Sequence, residues 1–248
     1  TNLEPALRRA GFRVEGSLKD DRSVVLPQFG LISNAVLYTN PGREAAAAEA
    51  ALKAKGVDLA VYREGVSLVV VSAKGRARID RRVSDDGAER FRYLAEAGDP
   101  LALNCVAEEL IHAGLADVDG FISEDKWLAA TANHLYPDPL RRLWRAFDGL
   151  IRQPASVIVS LKDGYYTGSI WLNLFAWMQA THGSLRRAQS LGVVLSTTPA
   201  LFAPDAGPFT GENILPRILS LKPREEGTPP REGTTLVVPQ EMLLFTGL

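Results

Sequence analysis

The chain has 248 residues, 46% apolar and 23% charged, enough to bury a substantial core as one large domain or two smaller ones and too apolar for a disordered chain. Its 28 basic and 29 acidic residues leave a formal net charge of −1, which gives no electrostatic case for nucleic acid or an anionic membrane. The single cysteine, Cys105, excludes an intrachain disulfide and a cysteine zinc site and is compatible with either redox setting, so the sequence assigns no compartment.

Leu3, Ala6, Leu7 and Ala10 fall on one helical face that ends at Gly11. Val24 to Leu26 and Ala35 to Tyr38 read as short strands, with Pro27 and Gly30 marking the turn between them. Arg43 to Lys55 is an alanine-rich helix closed by Gly56. Leu59 to Tyr62, Leu68 to Val71, Ala77 to Ile79 and Phe91 to Tyr93 are strand candidates. The turn signals Glu64-Gly65, Lys74-Gly75 and Asp86-Gly87 separate them, so an antiparallel meander is expected.

Asp117-Val118-Asp119-Gly120 echoes the middle of a calcium loop, but the first and last ligand positions would fall on Leu115 and Lys126. Neither can hold a hard cation, and calcium is rejected. Ser123 is expected to cap the next helix, whose Trp127, Ala130, Thr131 and His134 share a face, with His134 a core or interhelical residue. Pro137-Asp138-Pro139 ends that helix, and Leu140, Leu143, Trp144 and Phe147 form the buried stripe of another. The basic cluster Arg141, Arg142 and Arg145 reads as a solvated helix face.

Val157 to Leu161 is a continuous apolar run bounded by Pro154 and Asp163-Gly164, the pattern of a strand buried on both faces. Loops at the carboxyl ends of such strands carry ligands in open α/β sheets, and Asp163, Tyr165 and Tyr166 lie in this one. Leu191 to Thr197 reads as a second core strand, and between the two comes Ala180-Thr181-His182-Gly183-Ser184-Leu185. A histidine followed by glycine can present a ring nitrogen where the backbone lies close to a ligand, and neutral imidazole is the commonest metal ligand. The alternative is that His182 caps a turn and bonds a backbone carbonyl. Ile170 to Met178 is apolar but interrupted by Asn173 and too short to cross a bilayer core of about 30 Å. Past Pro199, Pro204, Gly207 and Pro208, a short helix is expected over Asn213 to Leu221. A loosely held Lys222 to Thr235 comes next, then strand returns at Leu236 to Val238 and Met242 to Phe245.

Ala155 to Tyr166, Ala180 to Arg187 and Leu191 to Thr197, taken in that order, resemble the last part of type I phosphodiesterase/nucleotide pyrophosphatase proteins of the alkaline phosphatase superfamily. The resemblance covers about residues 120 to 200, with a strand, an Asp-Gly-Tyr and then a Thr-His-Gly. It implies His182 as a late zinc ligand, and it implies that Val57 to Tyr93 belongs to an insertion covering part of the active site. The family's earlier motifs are an aspartate near the N-terminus, a Thr or Ser nucleophile, an Asp with a nearby His, and Asp-His-Gly. None of them is in this sequence, and His112 and His134 lie in helical surroundings without matching motifs. The chain opens at Thr1 with neither methionine nor signal peptide. It is expected to be the portion of such a protein that lies after the Asp-His-Gly segment, as a trimmed, processed or partial chain.

The expected fold is α/β, part of an alkaline-phosphatase-like layered sheet with helices plus a small α+β insertion containing the meander. Residues 1–115 would be a cap-like α+β region, 116–150 a helical connection and 151–248 the C-terminal part of the α/β core. The resemblance implies a metal-dependent phosphoester or phosphodiester hydrolase acting on a small phosphate ester, with two zinc ions completed by a missing N-terminal segment. His182 would be the metal ligand. Thr181, Ser184 and Asp163 would be oxygen partners of its second N–H, with Tyr165 near the substrate. No catalytic residue is assigned within the chain. The competing expectation is a non-catalytic α/β interaction module in which Thr181 to Ser184 is only a turn.

Overall fold

The computed structural model describes residues 1–28, 30–85, 87–148, 152–169, 174, 181–192 and 207–214. Helix α1 (Glu4–Arg9) leads into strands β1 (Arg13–Val14), β2 (Ser23–Val25), β3 (Leu31–Ile32) and β4 (Asn34–Thr39). Helix α2 (Glu44–Leu52) then precedes four strands, β5 (Val57–Glu64), β6 (Ser67–Ser72), β7 (Gly75–Val83) and β8 (Glu89–Gly98). Helix α3 (Asn104–His112), strand β9 (Ile122–Ser123) and helices α4 (Glu124–Thr131) and α5 (Pro139–Phe147) are next, and strands β10 (Val157–Leu161) and β11 (Thr167–Gly168) come last.

Nine strands form one sheet in the order β1-β2-β4-β10-β5-β6-β7-β8-β9, and β3 and β11 form a small antiparallel pair. All pairings in the large sheet are antiparallel except β1 with β2. The fold is thus mixed α/β, and the meander over β5 to β8 is antiparallel as its turn signals require. Strand β10 fills the place between β4 and β5, pairing Val159 with Ala35 on one side and Ala60 on the other. Strands from residues before 115 and after 151 therefore share one sheet.

The helices cover the two faces of the sheet unequally. Leu3, Leu7 and Phe12 pack with Ala47, Ala48 and Ala51 of α2 on one face, against Leu37, Tyr62, Val69, Val157, Val159 and Leu161. On the other face Trp127, Leu140, Leu143, Trp144 and Phe147 pack against Leu59, Val61, Leu68, Ile79 and Phe91. Only the middle of the sheet is covered twice, which is why β5, β6 and β10 read as near-continuous apolar runs despite their antiparallel pairing. In β7 the second cover stops, so Ala77 and Ile79 are buried while Arg76 and Arg78 alternate with them on the open face. There both arginines bond Glu64 and Glu96.

Three local expectations need correction. Ser123 stands at the N-cap of α4 in extended conformation but makes no cap bond, because its hydroxyl donates to Asp125 at 2.5 Å. Helix α4 stops at Thr131, so His134 lies beyond it, where its Nε2 meets Ala102 O at 3.1 Å and its Nδ1 accepts from the Tyr136 amide. Ala130 is exposed, and the buried face of α4 is Trp127, Leu128 and Thr131. The second core strand expected at Leu191 to Thr197 lies outside the described residues beyond Gly192. So do the apolar stretch Ile170 to Met178 apart from Leu174, the helix at Asn213 to Leu221 beyond Ile214, and the segments expected after it.

Candidate functional site

The turn carrying His182 is fastened at the carboxyl end of β10. Ser33 donates its amide to His182 O at 3.0 Å and accepts from the Leu161 amide, so His182 lies beside the last residue of that strand. Asn34 Nδ2 donates to Gly183 O at 2.9 Å, and Thr181 Oγ1 donates to Leu31 O at 2.9 Å. The Leu185 amide donates to Ser160 Oγ at 2.9 Å. Gly183 has φ +108, and a Cβ there would lie 2.8 Å from Asn34 Nδ2. Glycine thus suits the backbone conformation and leaves room for the Asn34 side chain. The His182 side chain is exposed.

Next to this turn lies a charged array on β5. Asp58, buried within the otherwise apolar run of β5, accepts from Arg186 twice, from Nε at 2.7 Å and from Nη2 at 3.0 Å, and from Tyr136 OH at 3.0 Å. The same guanidinium donates through Nη1 to Asp163 at 3.2 Å, and Gln189 Nε2 reaches Asp163 at 3.4 Å. The bonds to Asp58 raise the Arg186 pKa further above its ordinary value. Burial, reinforced by the Asp58 charge, holds the Tyr136 phenol well above the usual range. Motif reading does not single out Asp58 or Tyr136. The available signal is an acid inside an apolar strand, since a buried carboxylate requires a partner.

On the other side of the turn, helix α5 overturns the expectation of a solvated basic face. Arg145 is exposed, but Arg141 and Arg142 are buried. Arg142 donates to Pro137 O and Leu185 O at 3.0 Å each and to Ser184 O at 3.4 Å, all of them main-chain carbonyls. Burial lowers its pKa to about 10, so it is charged at neutral pH. Arg141 lies 2.7 Å from Glu124 and 2.5 Å from Glu212. Asp138 sits between two prolines with φ 44, in the left-handed region, and is 1% exposed. One of its carboxylate oxygens has no hydrogen-bond partner and lies 4.0 Å from Arg141. Desolvation pushes its pKa up to about 7.

Tyr165 is partly buried against the α1–α2 side of the core, with its ring over Gly56, where a Cβ would lie 2.2 Å from Tyr165 Cδ1. The Ser184 hydroxyl accepts from the Arg186 amide, and Asp163 is engaged by Arg186 and Gln189. Thr181, Ser184 and Asp163 are therefore brought to the His182 turn, but none is hydrogen-bonded to its ring. His112 is exposed at the end of α3. In the loop with the calcium-like pattern, Asp117 and Asp119 both pair with Arg82, and the Phe121 amide helps hold the Asp117 pKa below the usual carboxylate range.

His182 is an exposed imidazole on a main chain held by Ser33 and Asn34. Zinc needs at least three protein ligands, and among the described residues no group of three or more His, Cys, Asp and Glu could hold a metal ion. No helix among them is long and apolar enough to cross a membrane. No family model, curated protein or solved structure matches the chain.

Proposed function

We propose that this chain is the C-terminal portion of a metal-dependent phosphoester or phosphodiester hydrolase of the alkaline phosphatase superfamily, and that His182 is one of its zinc ligands. The observation that carries the reading is the turn at the carboxyl end of β10, where Ser33 and Asn34 hold the carbonyls of His182 and Gly183 while the imidazole is left exposed. Bound zinc would supply Lewis-acid stabilisation of charge on phosphoryl oxygens. What this chain's residues do is orient. Gly183 leaves room for the Asn34 side chain, and Ser160 and Arg142 fix the exit of the turn at Leu185. The further ligands and the nucleophile would come from an N-terminal segment, and the substrate is a small phosphate ester.

The test is zinc content and hydrolysis of bis-p-nitrophenyl phosphate by the natural gene product, with His182→Ala beside it. Bound zinc and turnover, both lost in the variant, are expected. A natural product that holds no zinc, or a variant that keeps both properties, sinks the reading. The same carbonyl bonds give the second reading its support. In a non-catalytic interaction module, residues 181–184 would be a structural turn, and the variant would change neither property.

A further inference from the structure

One guanidinium of helix α5 faces three carboxylates from three parts of the chain. Arg141 turns Nε to Glu124, the first residue of α4, at 2.7 Å, Nη2 to Glu212 at 2.5 Å and Nη1 to Asp138 at 4.0 Å. The third distance is too long for a hydrogen bond, and the Asp138 oxygen that faces Nη1 has no partner. With all three acids ionised, three negative charges would stand against one positive charge at a guanidinium whose side chain is 7% exposed, a costly excess where little water reaches. Burial relieves it by favouring the protonated form of Asp138 and by raising the Glu124 pKa as well.

Glu212 differs from its two companions. It belongs to residues 207–214, in which Phe209 and Thr210 are buried and Gly211–Asn213 forms a single helical turn. Its side chain is 53% exposed, against 27% for Glu124 and 1% for Asp138. Glu212 is therefore the carboxylate that returns to water at least cost.

We propose that Arg141 is the catch of a proton-operated latch, which holds residues 207–214 on α5 through Glu212 while Asp138 carries a proton and releases them when Asp138 ionises and pairs with Nη1. Loss of the proton adds a like charge near Glu212 and offers Arg141 a second, buried acceptor. Release takes the Glu212 charge away from Asp138, so Asp138 binds its proton less tightly in the released state. A proton held more tightly in the closed state favours closing at low pH, and that advantage is lost as pH rises to about 7 and levels off above it. The charged groups facing Asp138 are Arg141 and Arg142 of α5, Glu124 of α4 and Glu212, and Glu124 is faced in turn by Glu89 of β8 and by Arg145.

The test is hydrogen exchange of the natural gene product from pH 5 to 8, expressed as protection factors so that the intrinsic pH dependence of exchange drops out. It is followed at the amides of residues 209–214, where the Asn213 amide donates to Thr210 O, and at Val69 to Val71 in β6. Protection at 209–214 is expected to lie below that in β6 and to fall as pH rises toward 7, by up to about tenfold per pH unit, the limit for one proton. Asp138→Asn should keep residues 209–214 protected with no such fall. Glu212→Gln should leave them less protected at pH 5 and equally so at pH 7. If Asp138→Asn does not fold, Glu212→Gln decides, and an unchanged slope at 209–214 overturns the latch. So does protection at 209–214 equal to that in β6 at every pH, since the segment would then open only with the whole sheet. Flattening in Glu124→Gln but not in Asp138→Asn would give the proton to Glu124 and equally overturn the proposal.

Discussion

Arg186 grips Asp58 with two hydrogen bonds across 128 positions of sequence, joining the turn after His182 to the first residues of β5. The pair is partly buried, with side-chain exposures of 21% and 8%, so removing one partner leaves a charge with little water. Arg186→Met is expected to cost about 3 kcal/mol, the lower end of the range for buried pairs because Tyr136 still bonds Asp58. Urea unfolding of Arg186→Met, Asp58→Asn and the double variant checks this. Additive losses would show that the pair is not coupled.

Asp138 gives the stability a defined pH dependence. Its folded pKa, about 7, is raised above the ordinary value of 3.8, so between those values the native state holds a proton that the unfolded chain has lost. Stability is therefore expected to fall as pH rises from about 4 to about 7, by up to about 1.4 kcal/mol per pH unit from this group. The groups facing it are Arg141, Glu124, Arg142 and Glu212. Asparagine tolerates the left-handed backbone at this position and cannot ionise. Urea midpoints from pH 5 to 8 should flatten in Asp138→Asn, and an equal slope in both proteins would refute the assignment.

Gly56→Ala is expected to destabilise by about 2–4 kcal/mol, combining strain at φ +87 with a clash against the Tyr165 ring. In a Tyr165→Ala background the clash is gone and only the backbone cost of about 1–2 kcal/mol remains. Denaturation of the four proteins in the cycle measures the difference.

The 248-residue chain by itself is expected to hydrolyse no phosphodiester above background and to bind zinc weakly, because one histidine cannot build a two-metal centre. An assay with a chromogenic phosphodiester and added zinc, on this chain and its His182→Ala variant, decides it. Robust turnover lost in the variant would reveal a nucleophile and ligands within these residues.

The legible parts of the fold are those whose signal is local. Val157 to Leu161 declares a buried strand because every residue but Ser160 is apolar, and the Gly-containing turns declare the meander. The pattern does not say which strands β10 lies between, since Ala35 and Ala60 are ordinary strand residues. Helical periodicity misplaces Arg142 for the same reason. Its acceptors at Ser184 and Leu185 are more than forty positions away, and periodicity assigns a cation to water unless its partners are known. Asp58 is readable in part, as an acid in an apolar run, but its partner Arg186 is not. At the site, His182-Gly183 is marked by sequence, whereas the bonds that hold its main chain, from Ser33, Asn34, Ser160 and Arg142, are long-range.

The place of β10 has a consequence for how the molecule is assembled. Because β10 is antiparallel to both neighbours, β4 and β5 run parallel with the width of one strand between them. During translation neither can complete its pairing until Val157 has left the ribosome, long after the meander and helices α3 to α5 have been made. The nascent chain therefore carries two open strand edges, the kind of surface that invites intermolecular pairing. Closing the sheet also requires a contact of long sequence separation, which slows folding. A chain stopped short of residue 157 would keep both edges, and aggregation rather than a smaller stable domain is its expected fate.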